Sequence, residues 1–123
     1  MKLQECKALL KKELPKLKGT YFCPCLMAYV TINSDSIKEI INHACISEKS
    51  TLLALNSKSL IENKNAIVLF EDTNIKKGNQ TKKFNLQKLF VIKSKINIGT
   101  AKLTIGLKKS GKHVEYCVTS FYK

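Results

Sequence analysis

Ala101-Lys102-Leu103-Thr104-Ile105-Gly106-Leu107-Lys108-Lys109, then Ser110-Gly111, then Lys112-His113-Val114-Glu115-Tyr116-Cys117-Val118-Thr119-Ser120-Phe121-Tyr122: this stretch decides the fold class. Two runs of alternating apolar and polar residues flank a tight turn, and alternation at period two marks a strand with one buried side. Leu103, Ile105, Leu107, Val114, Tyr116 and Val118 fall on one face, and Lys102, Thr104, Lys108, His113, Glu115 and Thr119 on the other. Upstream, Leu86–Ile98 reads as a third strand that turns at Gly99-Thr100, so the last third of the chain is an antiparallel meander.

Working back from it, Ala66–Glu71 is a compact strand, and the polar segment Thr73–Lys83 with Gly78 is an exposed loop. Leu52, Leu53, Leu55, Leu60 and Ile61 give residues 49–62 a helical apolar side. Ser36 with Glu39 has capping-box spacing and opens a helix over Ile37–Ala44. Thr20–Ile32 is rich in β-formers and reads as a strand that Pro24 pushes to an edge or a bulge. Leu3, Cys6, Leu9, Leu10 and Leu14 place an amphipathic helix over residues 2–14, which Pro15 ends. The expected architecture is α+β, one domain over residues 1–123, with N-terminal helices packed on a four-stranded antiparallel sheet of residues 66–122.

The chain has 123 residues and a net charge of +13, and all 22 of its basic residues are lysine. Such a surplus favours a polyanionic partner, nucleic acid first and an acidic protein next, although a solvated lysine-rich surface is the plainer account of part of it. With no arginine there is no bidentate guanidinium fork, so a phosphate grip here rests on point charges and backbone amides. No apolar run approaches the roughly 20 residues that span a bilayer, and the N-terminus has no secretory pattern. Five cysteines, an odd number, without a leader argue against a disulfide framework, and a cytoplasmic, reducing setting is the expectation.

Several residues carry chemistry on their own terms. His43, at the end of the second helix, has the side chain best suited to general base work near neutrality; a helix-terminal histidine held by the helix dipole is the plainer alternative. Lys93, Lys95, Lys102 and Lys108, with Thr104 and His113, form a basic sheet face, and Lys76, Lys77, Lys82 and Lys83 crowd the loop beside it. Together they suit a nucleic-acid backbone with salt-sensitive affinity. Aromatics on that face are few in this reading, so stacking on bases is not expected. Cys23-Pro24-Cys25, His43 and Cys45 offer four nitrogen and sulfur ligands, but C-x-C and H-x-C are not the usual zinc spacings. Small buried thiols explain them as well, and neither metal nor cofactor is assigned.

The segment from Val30 to Ser120 resembles the domains of phage and mobile-element polyvalent proteins that belong with the barnase–EndoU–colicin E5/D–RelE-like nucleases. The likeness rests on the histidine-bearing helix Ile37–Ala44, on Thr51-Leu52-Leu53-Ala54-Leu55 leading to Ser59-Leu60-Ile61-Glu62-Asn63, and on the closing Tyr116-Cys117-Val118-Thr119-Ser120. The resemblance implies a metal-independent endoribonuclease of a phage, plasmid or toxin system, in which the ribose 2′-hydroxyl attacks the adjacent phosphate. On that footing His43 would be the base, Lys95 or Lys102 would steady the phosphate, and Thr119 or Ser120 would hold a phosphate oxygen. Lys93, Lys108, Thr104, His113, Lys82 and Lys83 would bind the rest of the RNA, and an acidic immunity or antitoxin protein would be a second partner. The alternative expectation is a non-catalytic basic module that binds nucleic acid or an acidic protein.

Overall fold

The computed structural model describes residues 2–72, 86–108, 110–111 and 113–120, with the backbone alone at 72, 86 and 114–120. Helix α1 (Leu3–Glu13) runs into a 3₁₀ turn at Leu14–Leu17 that carries Pro15 in its first turn. There follow β1 (Gly19–Cys23), β2 (Ala28–Ile32), α2 (Ser34–Ala44), α3 (Glu48–Ala54), α4 (Ser57–Ile61), β3 (Ile67–Asp72), β4 (Leu86–Ile96), β5 (Gly99–Lys108) and β6 (His113–Ser120). The α+β class holds. Among the described residues the sheet, however, has six strands rather than four, in the order β1-β2-β6-β5-β4-β3.

The two added strands come from Thr20–Ile32, which is a hairpin and not one strand. Pro24 and the residues up to Met27 turn the chain back, with Leu26 N–H donating to the Cys23 carbonyl at 3.2 Å. Val30 and Thr31 then pair in parallel with His113 and Val114, which makes the sheet mixed. The expected third helix is two helices, broken at Leu55-Asn56. Helix α2 is capped from Asn33, whose Oδ1 accepts the Ser36 N–H at 2.9 Å, and not from Ser36.

Helices α2, α3 and α4 lie against one face of the sheet, and α1 packs on α2 and α3. Leu10, Ile37, Ile40, Leu53, Leu60 and Ile61 share a core with Val30, Ile32, Ile92, Ala101, Leu103 and Ile105. Helix α4 touches both β4 and β1. Those strands stand four positions apart in the sheet, about 19 Å if it were flat, against a helix about 10–12 Å across, so the sheet curls around the helices. Two hydroxyl contacts fasten the layers. Ser94 Oγ donates to the Leu60 carbonyl at 2.8 Å and accepts from Asn63 Nδ2 at 3.0 Å, which ties α4 to β4. Thr51 Oγ1 donates to the Ala44 carbonyl at 3.1 Å and fixes the corner between α2 and α3. Among the described residues no helix is long and apolar enough to cross a membrane.

Candidate nucleic-acid interface

The face of the sheet turned away from the helices is covered by no helix among the described residues. Strand alternation decides what stands on it. On β5, Ala101, Leu103 and Ile105 are buried in the core, so Lys102, Thr104, Gly106 and Lys108 take the other side. On β4 the core residues Ile92 and Ser94 leave Val91, Lys93 and Lys95 there. Register joins the rows: Lys93 is opposite Lys102, Val91 opposite Thr104, and Lys95 opposite Thr100. Phe70 of β3 is opposite Val91 and half exposed at 56%. The sequence-predicted binding residues Lys93, Lys95, Lys102, Lys108 and Thr104 therefore share one uncovered surface.

The β1–β2 hairpin contributes what the sequence reading did not expect. Tyr21, Cys23, Val30 and Ile32 pack toward the core, and the alternate residues Thr20, Phe22, Tyr29 and Thr31 face outward on the same side as the lysines. The match is fixed by Thr31, which pairs with Val114, itself opposite Gly106. Phe22 and Tyr29 are exposed at 37% and 63% and meet edge to face with ring centroids 5.3 Å apart. Beside them the Thr20 and Thr31 hydroxyls hydrogen-bond at 3.1 Å. By register Val30, the neighbour of Tyr29, lies level with Leu107, the neighbour of Lys108, two strands or about 10 Å away. The signal that could have found this pair was Pro24: a turn there puts Phe22 directly across from Tyr29.

Of the remaining predicted residues that are described, only Thr119 falls in line with the lysines by register. His43 lies on α2, in the helix layer, with Nε2 3.4 Å from Glu39 Oε2. The sheet separates it from Lys93, Lys95 and Lys102, so a general base and a phosphate grip do not meet across one substrate. His113 is also misplaced in the sequence reading. The β5–β6 pairing slips between Thr104 and Ile105, Thr104 being opposite Cys117 and Ile105 opposite Glu115. One extra residue in β6 reverses the alternation beyond it. His113 consequently stands opposite Leu107, at the end of the covered face, with its ring 5.5 Å from that of Phe90. Burial there pushes its pKa below the ordinary histidine value. Thr119 is opposite Lys102, and Ser120 is opposite the buried Ala101. Lys82 and Lys83, with Lys76 and Lys77, lie outside the described residues.

The zinc arrangement is not assembled either. Among the described residues no three His, Cys, Asp or Glu side chains come together in a way that could hold a metal ion. Cys23 ends β1 and Cys25 sits in the turn that follows, whereas His43 lies in the last turn of α2 with Cys45 just beyond it. No protein-family model, curated protein or solved structure matches the chain.

Proposed function

We propose that this chain binds single-stranded RNA across the open face of its sheet and does not cleave it. The observation that supports the reading is the exposed Phe22–Tyr29 pair on the same uncovered face as Lys93, Lys95, Lys102 and Lys108. Exposed rings next to cations suit a strand whose bases are free to stack and whose phosphates need neutralising. In a duplex the bases stack on one another, and a sheet face with neither arginine nor a protruding helix has little to read there. The threonine hydroxyls of Thr20, Thr31 and Thr104 are suited to the ribose 2′-hydroxyl, the group that separates RNA from DNA. From the Lys102 row to Lys108 is six residues, about 20 Å of strand, enough for a short single-stranded segment. The nuclease reading implied by the resemblance would need His43 beside these lysines.

The test is fluorescence anisotropy with a short labelled single-stranded RNA in EDTA, set against its duplex and against DNA of the same sequence. Binding should favour the single strand, and four engaged lysines should give log K against log salt a slope of about −3, at about −0.7 per phosphate neutralised. Equal affinity for the duplex, or affinity indifferent to salt, defeats the proposal. Cleavage of the RNA that is lost in His43→Ala would restore the nuclease in its place.

A further inference from the structure

We infer that Cys23 and Cys25 are a redox pair that closes a reversible disulfide within the β1–β2 turn. The two sulfurs face each other at 3.6 Å with only Pro24 between them in sequence. A disulfide needs about 2.05 Å, so an approach of about 1.5 Å remains, within the range of side-chain rotation. The turn that holds them is already tight. Leu26 N–H donates to the Cys23 carbonyl at 3.2 Å and Met27 N–H to the Pro24 carbonyl at 3.1 Å. Met27 has φ 51, a left-handed conformation that costs a non-glycine residue about 1 kcal/mol or more. Pro24 fixes its own φ and removes one source of slack between the thiols.

The sulfurs differ in access, and that difference dictates an order of reaction. Cys23 is 1% exposed, whereas Cys25 is half-buried. With glutathione disulfide as oxidant, Cys25 loses its proton and its thiolate attacks one sulfur of the reagent. The glutathione S–S bond breaks, and one glutathione leaves and takes up the proton. Cys23 then loses its proton and attacks Cys25 Sγ, which expels the second glutathione. Two protein thiols are oxidised by two electrons, and one glutathione disulfide is reduced to two glutathiones. The buried sulfur never has to meet the oxidant. Burial pushes the Cys23 thiol up to about 12 and the Cys25 thiol up as well, so the dithiol reacts slowly. The same burial leaves the reduced form without thiolate stabilisation, the feature that makes other dithiols strong oxidants.

The experiment treats reduced full-length chain with glutathione disulfide at mildly alkaline pH, quenches with acid and alkylating agent, and maps peptides by mass. Wild type should lose two hydrogens in the peptide holding Cys23 and Cys25, with no glutathione retained. Cys23→Ser should instead trap one glutathione on Cys25, and Cys25→Ser should leave Cys23 unmodified. Wild type that stops at a stable glutathione adduct, or remains fully reduced in that peptide, overturns the pair. Equal modification of Cys23 with and without Cys25 overturns the order.

Discussion

The two faces of this sheet are built from the same strands and differ at every second residue. Ser94 and Lys95 are chain neighbours, yet Ser94 is fully buried and hydrogen-bonded to α4, while Lys95 stands in solvent. The covered face is chosen by what helices can exclude from water, and its residues are exchangeable with others of similar shape. The open face has no such demand on it, so four of the five lysines on β4 and β5 and two exposed rings need another account. Stability and binding should therefore separate cleanly by face, and each of the following substitutions can break that separation.

The largest effect belongs to the covered face. Leu103 is fully buried between sheet and helices, and Leu103→Ala should cost about 2–5 kcal/mol in chemical denaturation through lost burial and the cavity left behind. Next come the rings of the open face. Phe22→Ala and Tyr29→Ala should each weaken single-stranded RNA binding by about 1–3 kcal/mol. Their mutual contact accounts for only about 0.5–1.5 kcal/mol of stability, so RNA affinity should fall more than the denaturation midpoint. If the two measurements fell together, the rings would be packing residues and the binding surface would lie elsewhere.

The neighbouring pair gives a sharper comparison. Ser94→Ala leaves the Leu60 carbonyl and the Asn63 amide short of a partner, and should cost about 1–3 kcal/mol of stability with the salt dependence of binding unchanged. Lys95→Ala should stay within about 0.5 kcal/mol in stability and reduce the salt slope by about 0.7. A Lys95 variant with an unaltered slope would remove that residue from the footprint.

What could be read in the sequence divides along the same line. The meander of β4, β5 and β6 was legible because Leu103, Ile105 and Leu107 alternate strictly with Lys102, Thr104 and Lys108, and β5 carries no irregularity within itself. The lysine side of the site was legible for the same reason. The extra residue in β6 is invisible to alternation, because Val114, Tyr116 and Val118 keep their period through it, and so alternation puts His113 on the wrong face. The β1–β2 hairpin is not legible because Phe22-Cys23-Pro24-Cys25-Leu26 is apolar throughout and masks the turn that Pro24 makes. With that turn go both the outer two strands of the sheet and the ring pair. The resemblance to metal-independent nucleases rests on short segments and on the order of elements, and neither tells which side of a sheet a helix-borne histidine will occupy.

The smallest effect comes from His113 and bears on the boundary between the faces. Its ring lies against Phe90 at the end of the covered face, and burial lowers its pKa in the folded chain. The unfolded chain, with an ordinary value of about 6.5, then binds the proton first. Above that pH neither state is protonated at this site and stability is indifferent to it. As pH falls below about 6.5 the unfolded state holds more protons, so stability declines until the folded pKa is passed and then levels. Replacing His113 by Gln should remove that decline, which is measured as the difference between wild-type and variant denaturation midpoints from pH 7.5 down to about 5, above the range where carboxylates titrate. A histidine standing on the open face, as alternation alone would place it, would be solvated and would contribute no such slope. Identical profiles for the two proteins would therefore count against the β6 slip and return His113 to the side of Lys102.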